Sequence, residues 1–238
     1  MIFIRSTIFN TALVLVTLMV GILGLPLALG PRRWVCGLRD LWVWLVLHLL
    51  RWTVGLSHRV EGLEHLPKGT FMVASKHQSA WETVALHTIF PDPSIVLKRE
   101  LLKLPVLGFY IAKIGMVPID RAAGGSALKS MIRAARKAAG DGRPVLIFPQ
   151  GTRVSPGEEA PYHSGVFALY RALDCPVVPV ALNSGVFWSR HAFFKRPGVI
   201  TVRILPSLPR GLDRKTFMKD LEVTIETATH ALDELTSA

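Results

Sequence analysis

The feature that most constrains this chain is an uncharged segment near its N-terminus. No Asp, Glu, Lys or Arg occurs from Ser6 to Pro31, a run of 26 residues. As a helix the run would be about 39 Å long at ~1.5 Å per residue, and the hydrocarbon core of a bilayer is ~30 Å thick. The segment is therefore long enough to cross a membrane, with Pro26 expected to kink or end the helix.

A second apolar run is too short to cross a membrane by itself. Leu41 to Leu50 contains ten residues, whereas a spanning helix needs about 20. Tryptophans, which favour the membrane–water boundary, cluster around this run. They are Trp34, Trp42, Trp44 and Trp52. We therefore predict that residues 1–55 form membrane-anchoring helices, the first inserted or spanning and the second interfacial, followed by one domain over residues 56–238.

The N-terminal part allows two other interpretations. The first run could be a cleaved signal peptide, although it is long and no small-x-small site ends it. The second could be an amphipathic helix packed against the rest of the protein. Only Arg5 precedes the first run, whereas Arg32, Arg33 and Arg39 follow it. If the run spans, the positive-inside rule places residues 56–238 in the cytoplasm, which agrees with a chain that has only two cysteines.

The rest of the chain alternates short apolar segments with longer amphipathic ones. The strand candidates are residues 71–76, 94–98, 116–119, 143–148, 177–182 and 199–205. The helix candidates are residues 80–90, 100–113, 125–139, 164–173 and 213–235. This alternation predicts an α/β fold with a mixed, largely parallel sheet flanked by helices. In such sheets, binding sites lie at the carboxyl ends of the strands.

A histidine and a carboxylate follow the first of these strands. His77 and Glu82 are five positions apart, so they do not share one face of a continuous helix. We expect His77 on the turn before a helix and Glu82 in its first turns, where the carboxylate can orient the imidazole as a proton acceptor. The pair could equally be a polar turn residue and a helix-start acid. Ser79 is interpreted as a helix cap, because the chain has no G-x-S-x-G nucleophile elbow.

Glycines and arginines follow two other strand candidates. Arg121 comes after strand 116–119 and just before a helix, whose N-terminus favours anions. Gly151 and Arg153 come after strand 143–148. Glycine lets backbone N–H groups approach an anion, and arginine can bind phosphate through two hydrogen bonds. Surface ion pairs are the alternative. With His77, these residues predict one site that activates a hydroxyl on a substrate carrying phosphate.

In their order and spacing, these residues resemble the glycerolipid acyltransferases typified by 1-acylglycerol-3-phosphate acyltransferase. That family has four blocks, which are N-H-x4-D, G-x-x-F-I-D-R, F-P-E-G-T-R and an apolar V-P-V segment. The corresponding blocks here are Lys76 to Glu82, Gly115 to Arg121, Phe148 to Arg153 and Val178 to Ala181. The resemblance covers roughly residues 58–210. Four blocks in order are far more specific than any one of them.

The resemblance implies a membrane-bound enzyme that moves a fatty acyl group from acyl-CoA or acyl carrier protein to the sn-2 hydroxyl of 1-acylglycerol-3-phosphate, giving phosphatidic acid. The expected location is the inner or cytoplasmic membrane, with the catalytic domain facing the cytoplasm. The catalytic residues would be His77 and Glu82. The substrate-binding residues would be Arg121, Gln150, Gly151, Thr152 and Arg153. No cofactor is expected, and no metal site, because the remaining histidines lack ligand-like spacing.

Three residues depart from the family pattern. Lys76 stands where the family usually has Asn, and Glu82 replaces Asp, which keeps the charge and adds a methylene. Gln150 replaces Glu, which predicts a more positive acceptor pocket. We expect catalysis to be retained, because the proton acceptor and both arginines are present.

The net charge of +11 requires anionic partners. Membrane lipids attract Lys and Arg near the bilayer, and both acyl donors are anionic. Residues 125–139 contain four basic residues and no acid. They are Lys129, Arg133, Arg136 and Lys137. Nucleic acid is not an expected partner, because the chain has no recognisable nucleic-acid-binding motif.

Other functions stay open at this point. Within the same chemistry, the acceptor could be a lyso-ornithine lipid or lysophosphatidylcholine. A lipid hydrolase would need a nucleophile or a metal, and neither is evident. A non-catalytic lipid-binding protein would not need the His77–Glu82 pair.

Overall fold

The computed structural model describes residues 1–120, 124–190 and 192–237. The strands are β1 (Leu56–Glu61), β2 (Met72–Ser75), β3 (Ser94–Lys98), β4 (Val117–Ile119), β5 (Val145–Ile147), β6 (Val177–Leu182) and β7 (Gly198–Ile204). The helices are α1 (Ile2–Leu23), α2 (Leu25–Ala28), α3 (Arg32–Leu49), α4 (Trp81–Ile89), α5 (Leu107–Ile114), α6 (Gly124–Gly140), α7 (Gly165–Leu173), α8 (Ser184–Phe187) and α9 (Arg214–Ser237). A π-helical turn, Leu50–Val54, extends α3, and 3₁₀ turns cover Leu63–His65 and Arg99–Lys103.

Seven strands of the described chain form one sheet in the order β1-β7-β6-β2-β5-β3-β4. All neighbouring strands are parallel except β6 and β7. The central strand β2 is in register with both neighbours, with Met72 opposite Val145 of β5 and Val177 of β6. The predicted fold class, a mixed and largely parallel sheet flanked by helices, is confirmed.

Alternate residues of the strands supply two separate hydrophobic clusters. Val73 of β2 belongs to the cluster that contains Val46 of α3 and Trp81 of α4. Its neighbour Met72 belongs to the opposite cluster, which contains Leu221 of α9 together with residues of α6 and α7. Because successive side chains of a strand point to opposite faces, both faces of the sheet are covered by helices.

The N-terminal helices pack against the same sheet. α1 is long and apolar enough to cross a membrane, and only 11% of its most apolar window is buried. It ends at Leu23, before Pro26, as predicted. α3 is longer than the predicted apolar run, because it begins at Arg32. Its Val43 is buried with the residues of the sheet, whereas Trp44 is exposed, so α3 is an amphipathic helix packed on the α/β domain.

A cluster of ion pairs fixes α3 to the loop between α4 and β3. The Asp92 carboxylate accepts hydrogen bonds from Arg32 at 2.6 Å and from Arg39 at 2.8 Å, and Nε of Arg143 lies 3.0 Å away. Burial alone would raise the pKa of Asp92, but the hydrogen bonds from Arg39 and Arg32 outweigh it and lower the pKa below its usual value. The carboxylate therefore stays ionised and joins the N-terminal helices to the sheet.

One local prediction was wrong, and one strand was missed. The helix expected over residues 100–113 is divided into the turn Arg99–Lys103 and α5. Pro105 explains the break, because proline disfavours helical geometry in the preceding residue, and Leu104 is extended with ψ 128°. Strand β1 was not predicted. It alternates in polarity only weakly, and it pairs with β7 alone at the edge of the sheet, where a continuous apolar run is not needed.

Candidate active site

The loops that follow β2 and β5 carry the central residues of the site. The two strands are adjacent and parallel, so their carboxyl ends meet at one edge of the sheet. His77 lies two residues beyond the end of β2, and Phe148 directly follows β5. The backbone carbonyl of His77 accepts a hydrogen bond of 2.8 Å from the N–H of Val154. The β2 loop and the β5 loop are thereby joined at the site.

The imidazole of His77 is held by packing and lies beside a buried carboxylate. Its ring stacks on Phe148 with centroids 4.0 Å apart and an interplanar angle of 18°. Nδ1 lies 3.8 Å from Oε2 of Glu82, and the His77 side chain is 12% exposed. This separation is longer than a hydrogen bond, although catalytic hydrogen bonds often tighten only when substrate binds. The arrangement leaves Nε2 as the nitrogen that can accept a proton.

Glu82 is completely buried and held by backbone and side-chain donors. Its carboxylate accepts the N–H of Gln78 at 2.7 Å and the N–H of Ser79 at 2.9 Å. The hydroxyl of Ser184 donates to Oε1 at 2.6 Å. Three donors offset the cost of burying the charge and fix its position beside His77. The predicted placement of Glu82 in the first turn of a helix is confirmed by α4, which begins at Trp81.

Ser79 lies just before the helix α4 and bonds its first N–H. Its hydroxyl accepts a hydrogen bond of 3.1 Å from the N–H of Trp81, the first residue of α4. The Ser79 side chain is fully buried, so the hydroxyl is not accessible as a nucleophile. The N-cap position itself is Ala80, so Ser79 bonds the start of the helix from one residue before the predicted cap.

Gly151, Thr152 and Arg153 line the same cavity as His77. Gly151 has φ +64°, a left-handed conformation that glycine adopts without strain. Arg153 is half-buried, and no acidic side chain of the described residues forms an ion pair with it. Arg190, which the sequence analysis missed, also lines the cavity and donates to the carbonyl of Arg153 at 3.1 Å. These loops therefore present uncompensated positive charge.

The structure places the other predicted substrate-binding residues differently. Arg121 lies outside the described residues, so its role stays a prediction. The Gln150 side chain is buried and is not among the described residues of the cavity wall. Its Nε2 instead lies 3.4 Å from Oε1 of Glu226 in α9. The structure therefore does not bring the Gln150 amide to the site where the phosphate was expected.

The cavity has a volume of about 1200 Å³ and mostly apolar walls. Helices α1, α3, α5 and α6 contribute side chains to it, among them Leu18, Leu38, Ile111 and Met131. Two other histidines, His87 and His163, also line it. Burial, assisted by the charge of Arg39, lowers the pKa of His87 to about 3, which makes it a poor base at neutral pH. Of these three histidines, His77 is the one with a carboxylate within ion-pair distance among the described residues, so it is the one suited to act as an oriented base.

A family model described as Acyltransferase matches residues 57–183, which contain His77, Glu82 and the Gly151–Arg153 loop. The chain belongs to the Acyltransferase family. The predicted resemblance is confirmed, and the chain is therefore an acyltransferase, an enzyme.

Two curated relatives illustrate the similarity of this acyltransferase. The 1-acyl-sn-glycerol-3-phosphate acyltransferase of Pseudomonas aeruginosa is 38% identical over 167 residues, which are 70% of this chain and 65% of that protein. The mouse 1-acyl-sn-glycerol-3-phosphate acyltransferase alpha is 30% identical over 193 residues, which are 79% of this chain and 67% of that protein. The chain thus spans about two thirds of the length of each relative.

A solved structure supports the fold of this acyltransferase. The crystal structure of the 1-acyl-sn-glycerophosphate (LPA) acyltransferase PlsC from Thermotoga maritima superposes with a TM-score of 0.77, at 20% sequence identity. The match covers 100% of this chain and 99% of that one. The likeness therefore extends to the N-terminal helices as well as the sheet.

Replacing Glu82 by glutamine should reduce transfer by this acyltransferase about tenfold, which corresponds to ~1.4 kcal/mol. An amide can still orient the imidazole of His77, but it cannot stabilise the imidazolium ion by charge. The measurement is kcat/KM of the purified variant, with thermal unfolding to confirm the fold. Glu159→Gln, at an exposed position, is the matched control and should leave the rate unchanged. A loss at Glu82 as large as that of His77→Ala would assign Glu82 a different role.

Proposed function

We propose that this acyltransferase moves a fatty acyl group from an acyl thioester to the sn-2 hydroxyl of 1-acylglycerol-3-phosphate, and so makes phosphatidic acid. The observation that carries the proposal is that His77, with Glu82 buried behind it, and Arg153, which has no ion pair among the described residues, share one apolar cavity. The base suits a hydroxyl, the arginine suits a phosphate and the apolar wall suits acyl chains. The names of the two curated relatives support the same acceptor.

The reaction is a direct transfer. The acceptor oxygen attacks the thioester carbonyl as Nε2 of His77 takes its proton, and the Glu82 carboxylate stabilises the imidazolium ion that forms. The tetrahedral intermediate then expels the carrier thiolate, which receives the proton from His77. One O–H bond and one C–S bond break, and one C–O bond and one S–H bond form. The buried hydroxyl of Ser79 has no part in this sequence.

The acceptor phosphate binds to Arg153, Thr152 and the backbone at Gly151. The guanidinium can offer two parallel hydrogen bonds to a phosphate. Arg190 lies within hydrogen-bonding distance of the Arg153 backbone and adds positive charge. Arg121 is proposed to contribute from the segment between β4 and α6. The Gln150 side chain, by its position against Glu226, has no direct part in phosphate binding.

The donor carrier binds to the basic face of α6. Lys129, Arg133 and Lys137 are exposed on this helix, which has no acidic residue. The first turns of the same helix line the cavity through residues such as Leu128 and Met131. An anionic carrier, whether coenzyme A or acyl carrier protein, would therefore place its thioester close to the cavity.

The acceptor is tested by incubating purified protein with a labelled acyl thioester and a panel of lysolipids. Labelled phosphatidic acid from 1-acylglycerol-3-phosphate, formed with the highest kcat/KM of the panel, is the expected product. Faster acylation of a lyso-ornithine lipid or of lysophosphatidylcholine would identify that lysolipid as the acceptor and contradict the proposal. Labelled free fatty acid as the main product would instead identify a hydrolase.

We also propose that α1 inserts into the cytoplasmic membrane from the cytoplasmic side. Both halves of α1 are bonded to the domain, because Asn10 donates to the carbonyl of Phe193 and the hydroxyl of Tyr110 donates to the carbonyl of Gly21. A helix that crossed the bilayer would carry one end away from the domain. The opposite face of α1 exposes Leu15, Met19 and other apolar side chains. These contacts support partial insertion. The cytoplasmic side is proposed because Arg32, Arg33 and Arg39, which follow α1, suit an anionic cytoplasmic leaflet and because the chain has only two cysteines.

Aspartates on the exposed face of α1 should release the protein from membranes. A charge in the middle of an apolar inserted helix is costly, so Leu15→Asp with Met19→Asp should shift the protein into the soluble fraction after carbonate washing. The wild type should stay with the membrane. Val223→Asp, at an exposed position of α9, is the control and should not change the fractionation. Release of the wild type by carbonate would contradict insertion, and protease access only from the non-cytoplasmic side would contradict the orientation.

A further inference from the structure

A buried ion pair precedes the catalytic histidine. Lys76, the neighbour of His77, is 2% exposed, and its ammonium lies 2.6 Å from Oε2 of Glu226 in α9. Burying a charged amine is costly unless a partner compensates it. The pair therefore fixes the start of the β2 loop to α9, a helix without any chemistry evident from the sequence.

The residue after His77 is bonded to the same helix. Gln78 is fully buried, and its Nε2 donates to Oδ2 of Asp233 at 3.3 Å. Its Oε1 accepts the N–H of Gly185 at 2.9 Å. Glu226 and Asp233 are seven residues apart on α9, so about two turns of one helix face the two neighbours of His77.

Glu226 also contacts the loop that carries Arg153. Its Oε1 accepts a hydrogen bond of 2.8 Å from the hydroxyl of Tyr162 and lies 3.4 Å from Nε2 of Gln150. Burial raises the pKa of Tyr162, and the charge of Glu226 raises it further. The phenol therefore keeps the proton that it donates. One carboxylate is in contact with both the β2 loop and the β5 loop.

We propose that α9 is a positioning element of the active site, in which Glu226 and Asp233 hold the residues on either side of His77 and Glu226 joins them to the Gln150 loop. The two departures Lys76 and Gln150 then have a common explanation. The family pattern has Glu at the position of Gln150, which is neutral here. Glu226 supplies the carboxylate that neutralises Lys76 instead. This inference rests on the proposed function of His77 as the base.

The test is a charge exchange inside the cluster, with Glu226→Gln as the first variant. It leaves Lys76 without its carboxylate, so the β2 loop should shift and kcat should fall about 10- to 100-fold, since small displacements of a catalytic group cost about that much. The KM values for acceptor and donor should change less than about threefold, because the cavity residues are intact. Adding Gln150→Glu to Glu226→Gln returns one carboxylate to the cluster and should restore most of kcat.

Two further variants separate positioning from folding. Lys76→Asn with Glu226→Gln removes both charges, so no buried charge is left unpaired. This double variant should unfold near the wild-type Tm yet keep a reduced kcat. Glu234→Gln, at an exposed position of α9, is the matched control and should have wild-type kinetics.

The kinetics are measured with whichever lysolipid the wild type acylates fastest, so a different acceptor would leave the test intact. Wild-type kcat in folded Glu226→Gln, or no recovery in the Gln150→Glu, Glu226→Gln variant, would overturn the positioning role. A wild-type kcat in the Lys76→Asn, Glu226→Gln variant would overturn it as well. His77→Ala is assayed in parallel, because an active His77→Ala would refute the proposed function itself.

Discussion

Replacing His77 by alanine should lower the rate of acyl transfer by about 10²–10⁴-fold, the usual contribution of a positioned general base. No other described histidine of the cavity lies within ion-pair distance of a carboxylate. The variant should still fold, since Glu82 keeps the hydrogen bonds from Gln78, Ser79 and Ser184. Initial rates of product formation, together with thermal unfolding and membrane fractionation, measure these effects.

His87→Gln is the matched control for that experiment. His87 lines the same cavity, but its pKa of about 3 makes it unsuited to accept a proton at pH 7. Its replacement should leave the rate within a few-fold of wild type. Near-normal activity of His77→Ala, or an equal loss of rate in His87→Gln, would contradict the assignment of His77 as the general base.

Replacing Arg153 by alanine should lower kcat/KM for the acceptor about 10- to 150-fold, the equivalent of losing ~1.5–3 kcal/mol from hydrogen bonds to a charged group. The donor KM should change little. The acceptor kcat/KM of Arg153→Lys should lie between those of the wild type and Arg153→Ala, because an ammonium keeps the charge but lacks the planar fork of a guanidinium. Kinetics with acceptor and donor varied separately give both values.

Arg171→Ala, at an exposed position of α7, is the control for the arginine experiment. Arg121→Ala is predicted to behave like Arg153→Ala on the basis of the sequence motif. If either active-site arginine variant raised only the donor KM, that arginine would bind the phosphates of the carrier instead, and the proposed acceptor pocket would be wrong.

Most of the sheet could be predicted because its central strands β2, β5 and β6 are buried throughout and mainly apolar. β3 and β6 were predicted with their observed bounds, Ser94–Lys98 and Val177–Leu182. β1 escaped prediction because an edge strand that pairs only with β7 needs no such run. The break before α5 depends on one proline, Pro105, inside a pattern that is otherwise helical.

The local part of the site could also be predicted from the sequence. His77 and Glu82 are close along the chain. The placement of His77 on a turn and of Glu82 at the start of the next helix depends only on nearby residues. The partners of these residues are remote, since Ser184 is 102 residues from Glu82 and Glu226 is 150 residues from Lys76. Contacts at such separations depend on how α8 and α9 pack on the sheet. The environment of Gln150 was beyond sequence analysis for the same reason.

The most direct test of direct transfer measures the carrier thiol released from an acyl thioester, with and without 1-acylglycerol-3-phosphate. Purified protein should release thiol only when the acceptor is present, in amounts equal to the phosphatidic acid formed, and the mass of the protein should stay unchanged. A burst of thiol without acceptor, accompanied by an acylated protein or by free fatty acid, would contradict direct transfer by His77.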